Sequence, residues 1–169
     1  MENYMMINGK RIELTDDQVK LILADVPEKS PFDRADEGET YYYINHLFDI
    51  YNDSEFHYED DDDCYRCANY CTDENIMKQH ALHMQLNNLL WRYSMTHCGD
   101  KIDWDNPNTS KYYIEIDTRS INVITFDSNV YLRNFGAVYF AYYKAAEDAI
   151  EEIVKPFIEA HPEFDVTKM

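Results

Sequence analysis

The stretch Thr72-Asp73-Glu74-Asn75-Ile76-Met77-Lys78-Gln79-His80-Ala81-Leu82-His83, continuing through Leu86, Leu89, Leu90, Trp91 and Tyr93 to His97, decides the fold class. Ile76, His80, His83, Leu86, Leu90 and Tyr93 recur at three- and four-residue spacing, and Leu82, Leu89 and Trp91 widen the same side. The pattern predicts a long amphipathic helix over about 73–97. Thr72 has the side chain of an N-cap, Asp73 and Glu74 suit the positive end of the helix dipole, and Gly99 closes the element. A helix of that length has to bury its apolar side against other elements.

Downstream, Lys111-Tyr112-Tyr113-Ile114-Glu115-Ile116-Asp117 alternates in the manner of a half-buried strand. Thr118 to Ser120 turn the chain, and Ile121–Phe126 and Gly136–Phe140 read as two further strands of a three-stranded meander. A terminal helix is expected over 143–160, with Ala146, Ala149, Ile150, Ile153 and Phe157 on its core face. Pro156 lies inside that pattern and predicts a kink or a short break, because proline cannot donate the helical hydrogen bond.

Upstream, Tyr41-Tyr42-Tyr43-Ile44 has strand composition, and a second short strand is expected at Phe48–Tyr51. Residues 27–40 carry Pro27, Pro31 and Gly38 among charges, the composition of a linker. Before it, residues 4–8 and 11–14 read as a small hairpin about Gly9-Lys10. Thr15 and Gln18 then form a capping box for a short helix with Val19, Leu21, Ile22, Leu23 and Val26 as its stripe, ended by Pro27. The expected architecture is α+β: a single domain with one antiparallel sheet packed against a long central helix and a C-terminal helix. Residues 1–26 form a small N-terminal appendage and 27–169 the main α+β domain.

Composition narrows the function classes. The 169 residues hold 33 Asp and Glu against 15 Lys and Arg, a formal charge of -18, so direct binding to nucleic acid or to an anionic membrane is disfavoured. Aromatics make up 15% of the chain, which predicts a folded core in spite of the charge. Residues 1–10 lack the pattern of a signal peptide, and no run approaches the eighteen or so apolar residues of a membrane span, so a cytoplasmic location is expected. A homo-oligomer is left open by the sequence.

Catalytic signatures are absent. The four glycines lie far apart, which excludes a Gly-rich phosphate loop. His97-Cys98 would sit at the negative end of the long helix, where a thiolate is disfavoured. Asp60–Asp63 lacks the alternate spacing and glycine of a calcium loop. The chain is therefore expected not to be an enzyme and to need no cofactor. Cys64 and Cys67 with His80 and His83 are weak zinc candidates, since a Cys-x-x-Cys pair and two imidazoles one helical turn apart supply suitable ligands. Buried thiols and half-buried imidazoles are the plainer reading of the same residues.

The strongest asymmetry is local. From Ala35 to Tyr65 there are eleven Asp or Glu and no Lys or Arg. A run such as Glu59-Asp60-Asp61-Asp62-Asp63 is expected to be solvated across 52–63, because isolated carboxylates are costly to bury. Its charge density resembles a phosphate ladder and would attract the basic groove of a nucleic-acid-binding protein. The candidate partner-binding residues are Asp53, Glu55, Glu59, Asp60, Asp61, Asp62 and Asp63, with Tyr51, Tyr58 and Tyr65 supplying apolar contact.

A wider pattern accompanies these features: Pro31-Phe32-Asp33-Arg34, Gly38-Glu39-Thr40-Tyr41-Tyr42-Tyr43-Ile44, Ala68-Asn69-Tyr70-Cys71-Thr72, Leu89-Leu90-Trp91-Arg92-Tyr93, Ile102-Asp103-Trp104, Lys111-Tyr112-Tyr113-Ile114 and Gly136-Ala137-Val138-Tyr139-Phe140. With it, the chain resembles, over about residues 31–160, a group of small acidic proteins of phages, prophages and other mobile elements in Firmicutes. In that group Cys64 and Cys67 are not required, and an aromatic residue often stands at the position of Cys71. The resemblance carries no catalytic residues with it. It implies stoichiometric binding to host defence machinery, such as inhibition of a CRISPR effector nuclease or a restriction enzyme. The expected function is a non-enzymatic, nucleic-acid-mimicking inhibitor of a defence nuclease; the alternative is a zinc-stabilised or purely structural accessory protein.

Overall fold

The computed structural model describes residues 4–24, 29–106, 108–117, 122–128 and 136–166. The chain divides into two compact units, Met1–Asp33 and Arg34–Met169. The boundary lies later than the 26/27 position read from composition, because Arg34 and Ala35 are bonded into the second unit through Glu55 and Tyr70.

In the first unit, β1 (Tyr4–Ile7) pairs antiparallel with β2 (Lys10–Glu13). The turn is Asn8-Gly9, one residue earlier than expected, and both residues have positive φ, 47° and 76°. That is the geometry that two-residue hairpins favour, and it selects Asn-Gly over Gly-Lys. The expected capping box opens α1 (Asp16–Ala24): Thr15 N–H donates to Gln18 Oε1 at 2.9 Å, and Gln18 N–H to Thr15 Oγ1 at 3.3 Å. Its expected end at Val26-Pro27 lies outside the described residues.

The second unit is α+β, with a long central helix and helices at its C-terminal end. Its strands do not make the expected single sheet. β3 (Thr40–Ile44) and β4 (Ile50–Ser54) form a two-stranded sheet, and β5 (Lys111–Asp117), β6 (Asn122–Ser128) and β7 (Tyr139–Phe140) form another in the order β6-β5-β7. The meander is corrected by this order, since β7 pairs with β5 rather than with β6, Tyr112 opposite Phe140 and Tyr113 opposite Tyr139; the turn expected at Thr118–Ser120 lies outside the described residues. Local alternation identifies strands but carries no information on which edge a later strand joins. β4 also begins two residues later than expected and runs into the acidic segment.

The helix α3 spans Glu74–His97 and is capped by Asp73, not Thr72: the Asp73 carboxylate accepts from Asn75 N–H at 2.8 Å and Ile76 N–H at 3.1 Å. Its buried residues are Met77, Ala81, Tyr93 and Ser94, whereas Ile76, His80, His83, Leu86 and Leu90 are half-buried and Trp91 is 59% exposed. The Ser94 hydroxyl donates to the Tyr139 carbonyl of β7. Met77 and Ala81 meet Ile44 and Cys71 in one cluster, with Tyr42 and Ile50 against it. Tyr93 joins Cys98, Phe140, Ala146 and Ala149 in a second. The helix therefore carries two packing sites, on the β3–β4 sheet at one end and on β7 and the next helix at the other.

That next helix, α4 (Tyr143–Ala149), does not run straight into α5 (Lys155–Ala160). Ile150–Val154 form a π-helical turn in which Lys155 N–H donates to Ile150 O, five residues back. This is the interruption expected from Pro156, realised as a widened turn rather than a kink; it keeps Ala146, Ala149, Ile150, Val154 and Phe157 buried. Lys111, at the start of β5, is buried too. Its ammonium donates to the carbonyls of Thr109 at 2.9 Å and Asn106 at 3.2 Å and lies 5.6 Å from the Trp104 ring centroid, which compensates its desolvation.

Candidate functional site

The acidic segment is a built structure, not the solvated run expected for 52–63. Glu55 is fully buried and Asp61 is 3% exposed. Glu55 accepts the Arg34 guanidinium at both oxygens, Nε to Oε2 at 3.0 Å and Nη2 to Oε1 at 2.8 Å. Tyr70 Oη donates to Oε2 at 2.9 Å and His57 N–H to Oε1 at 2.7 Å, so the carboxylate is filled to its usual capacity of about four hydrogen bonds. Tyr70 Oη in turn accepts from Ala35 N–H at 3.0 Å.

Asp61 is satisfied in the same way. Tyr41 Oη donates to Oδ1 at 2.8 Å, and the N–H groups of Phe56 and Tyr58 each donate to Oδ2 at 3.0 Å. Three successive backbone N–H groups, Phe56, His57 and Tyr58, are thus held by two buried carboxylates. His57 is forced to φ 59°, a conformation non-glycine residues seldom adopt. Asp61 is also the third residue of α2 (Glu59–Arg66), reaching back to its N-cap Tyr58. Four acids in the first turn of α2 suit the positive end of a helix, which is why this run folds instead of staying extended.

Electrostatics follow from these contacts. The Arg34 guanidinium holds Glu55 below the usual carboxylate range, outweighing burial, which acts the other way. Burial pushes Asp61 up, but the two N–H groups and the Tyr41 hydroxyl outweigh it and its pKa is lowered. Burial raises both phenols, with the facing carboxylates adding to it; Tyr70 is pushed up to about 12. Cys64 packs against Ala35, Tyr41 and Tyr70, and burial raises its thiol.

The ten candidate partner-binding residues separate accordingly. Glu55 and Asp61 are corrected from surface to interior. Asp62 pairs with Arg34 at 2.6 Å and Asp63 with Arg66 at 3.3 Å, so the two arginines that bracket the acidic run are both spent inside it. Asp53, Glu59 and Asp60 are exposed and have no cation partner among the described residues. Tyr51 is 50% and Tyr58 67% exposed, and Phe56, absent from the sequence reading, joins them with its ring 5.8 Å from that of Tyr58. Tyr65 is turned partly inward, its ring edge-on to Tyr70 at 5.3 Å.

The thiol and imidazole candidates are not gathered. Among the described residues no three His, Cys, Asp or Glu side chains are placed to hold a metal ion. Cys67 is exposed with Sγ against the Asp63 carbonyl, whereas His83 stands edge-on to Phe164 and its pKa is lowered by burial. The weak zinc set Cys64, Cys67, His80 and His83 is thereby corrected: a Cys-x-x-Cys at the end of one helix and two imidazoles on another need tertiary proximity that spacing alone does not provide. His97 stacks on Tyr93 with Nδ1 2.9 Å from its carbonyl, while Cys98 Sγ accepts from Ala141 N–H, so these neighbours form no thiol–imidazole pair.

The geometry defines an α+β protein whose most elaborate polar construction presents an acidic, aromatic surface. No protein-family model, no curated protein and no solved structure matches the chain. Among the described residues no helix is long and apolar enough to cross a membrane.

Proposed function

We propose that this chain is a non-enzymatic interaction protein that docks its acidic, aromatic face into the basic nucleic-acid channel of a partner and excludes nucleic acid from it. In the setting that the resemblance implies, the partner is a defence nuclease. The observation that carries the reading is the locked loop of residues 55–58. Two buried carboxylates are spent on fixing the backbone that displays Phe56, Tyr58, Glu59 and Asp60, a desolvation cost that a merely solubilising acidic tail would not require. Outward acids beside exposed aromatics combine steering at a distance with apolar contact on arrival.

The test compares wild-type chain with an Asp53→Asn, Glu59→Gln, Asp60→Asn variant as baits in an extract of a plausible bacterial host. The expected result is a nucleic-acid-binding protein that the wild type alone retains, that duplex DNA displaces, and whose binding weakens about tenfold or more between low and physiological salt, where the screening length is about 8 Å. A captured protein indifferent to DNA competition, or held equally by the neutralised variant, overturns the reading.

A further inference from the structure

The β3–β4 sheet has one covered edge and one open edge. On β3, Tyr42 N–H donates to Cys71 O at 2.7 Å and Cys71 N–H returns to Tyr42 O at 3.0 Å, while the Asn69 side chain closes on both backbone groups of Ile44 at 2.8 Å. The peptide groups of Tyr42 and Ile44 therefore face away from β4. In an antiparallel ladder, the residues opposite them must also face away from β3. The register places Asn52 opposite Tyr42 and Ile50 opposite Ile44, so Ile50 and Asn52 direct their N–H and C=O groups outward. No protein group among the described residues takes those N–H groups. Only Ser54, at the strand end, has its N–H occupied, by the Asp53 carboxylate at 2.8 Å.

We infer that the outer edge of β4 is a docking strand that receives an extended cationic segment of the partner protein as a third strand of this sheet. Among the described residues β4 carries no proline and no lysine and nothing pairs with the outward groups of Ile50 and Asn52; its five-residue length and Asp53 are its protections, and the side chains of Tyr51, Asn52 and Asp53 are exposed. Charge decides the occupant. Pairing with a second copy would bring the exposed Asp53 of each strand edge to edge, with Glu59 and Asp60 following it in each chain and none of the three held by a cation among the described residues, and like charges across strands oppose it. The same carboxylates favour a strand bearing Lys or Arg. Main-chain hydrogen bonds then supply affinity, while alternate side chains meet Tyr51 and Asp53 on one face. The inference rests on the proposed docking of a basic partner and adds how that partner is held.

The experiment uses the full chain and two synthetic octapeptides of alternating Lys and Val, one unmodified and one N-methylated at alternate amides on its pairing edge. Both carry the same charge, but only the first can extend the ladder. The expected result is at least tenfold tighter binding of the unmodified peptide, at least tenfold slower hydrogen exchange of the Asn52 amide on binding, and loss of that preference in Asn52→Pro, which removes an outward N–H from an edge position that tolerates proline. Equal binding of the two peptides to wild-type chain, without protection of Asn52, overturns the docking strand and leaves the acidic face standing as a purely electrostatic surface. Binding of neither peptide at low salt overturns both. Protection of Asn52 in peptide-free chain together with a dimeric mass assigns the edge to a second copy and overturns the inference. The wild-type comparison stands whether or not the proline variant folds.

Discussion

Tyr41 and Asp61, twenty residues apart in the chain, are joined by a 2.8 Å hydrogen bond in the interior, the phenol donating to the carboxylate. Tyr41 is a β3 residue stacked on Tyr70 at 4.2 Å between ring centroids, and Asp61 lies in the first turn of α2. One contact thus fixes the acidic helix to the sheet. Because Asp61 also holds the N–H groups of Phe56 and Tyr58, removing the phenolic oxygen loosens the presentation of the surface as well as the fold. Tyr41→Phe keeps the stacked ring and leaves a buried carboxylate one donor short, so it is expected to cost about 1–3 kcal/mol in urea unfolding. Slower-exchanging amides at Phe56 and Tyr58 in the variant than in wild type would contradict this account.

Among the described residues Arg34 is the one Lys or Arg that meets Glu55, bonding both of its oxygens, while the His57 ring lies with Nδ1 3.3 Å from Oε1. Arg34→Met leaves that carboxylate buried and uncompensated and is expected to destabilise by about 3–5 kcal/mol. Arg34→Lys recovers only part of the loss, since an ammonium cannot reproduce the two-pronged contact. The double variant Arg34→Met, Glu55→Gln is expected to be more stable than Arg34→Met alone. Equal stability of the single and double variants would show that the burial of Glu55 is not what the arginine compensates.

The two carboxylates and the two phenols set opposite pH limits. Glu55 and Asp61 have folded-state pKa values below their unfolded values of about 4.3 and 3.9. Their contribution is therefore present above that range and lost as pH falls through the lower folded values. Tyr70 is raised to about 12 and Tyr41 is raised as well, so the phenols contribute fully below their unfolded value of about 10 and lose that contribution as pH rises above it. Chemical denaturation across pH is expected to show an acid limb below about pH 4, flatter in Glu55→Gln, and an alkaline limb above about pH 10, flatter in Tyr70→Phe. Phenolate absorbance is expected to report a late-titrating tyrosine population that joins the rest on unfolding.

Local signals were readable where they are self-contained. The Thr15–Gln18 capping box, the long periodicity of α3, the alternation of β5 and the break before Pro156 each depend on residues within a few positions of one another. The interior of the acidic segment was not readable, because Glu55 meets Arg34 across 21 residues and Asp61 meets Tyr41 across 20. Composition averages over such pairs and returns only a solvated run. Arg34, the last cation before 31 residues without one, was the available hint, as was an aspartate three residues after Tyr58 at the mouth of a helix. Pairing β7 with β5, and the offset of the buried stripe of α3 to Met77 and Ala81, likewise depend on what each element meets in space.

The four cysteines are expected to react in an order set by burial. Cys67 is exposed, Cys64 is half-buried with its thiol raised by burial, and Cys71 and Cys98 are interior, Cys71 also raised by burial. A thiol-specific disulfide reagent at pH 8 is therefore expected to modify Cys67 first, Cys64 more slowly, and the remaining two only with unfolding, because the thiolate is the reacting species and the interior sulfurs are inaccessible. A chelator is expected to alter neither this order nor the melting temperature, since no set of three candidate ligands is assembled among the described residues. Zinc recovered stoichiometrically with the purified chain, together with chelator-induced exposure of Cys64, would reverse that conclusion. It would also require Cys64 to leave the Tyr41–Tyr70 cluster, a movement that near-ultraviolet dichroism of the stacked tyrosines would register independently of the metal.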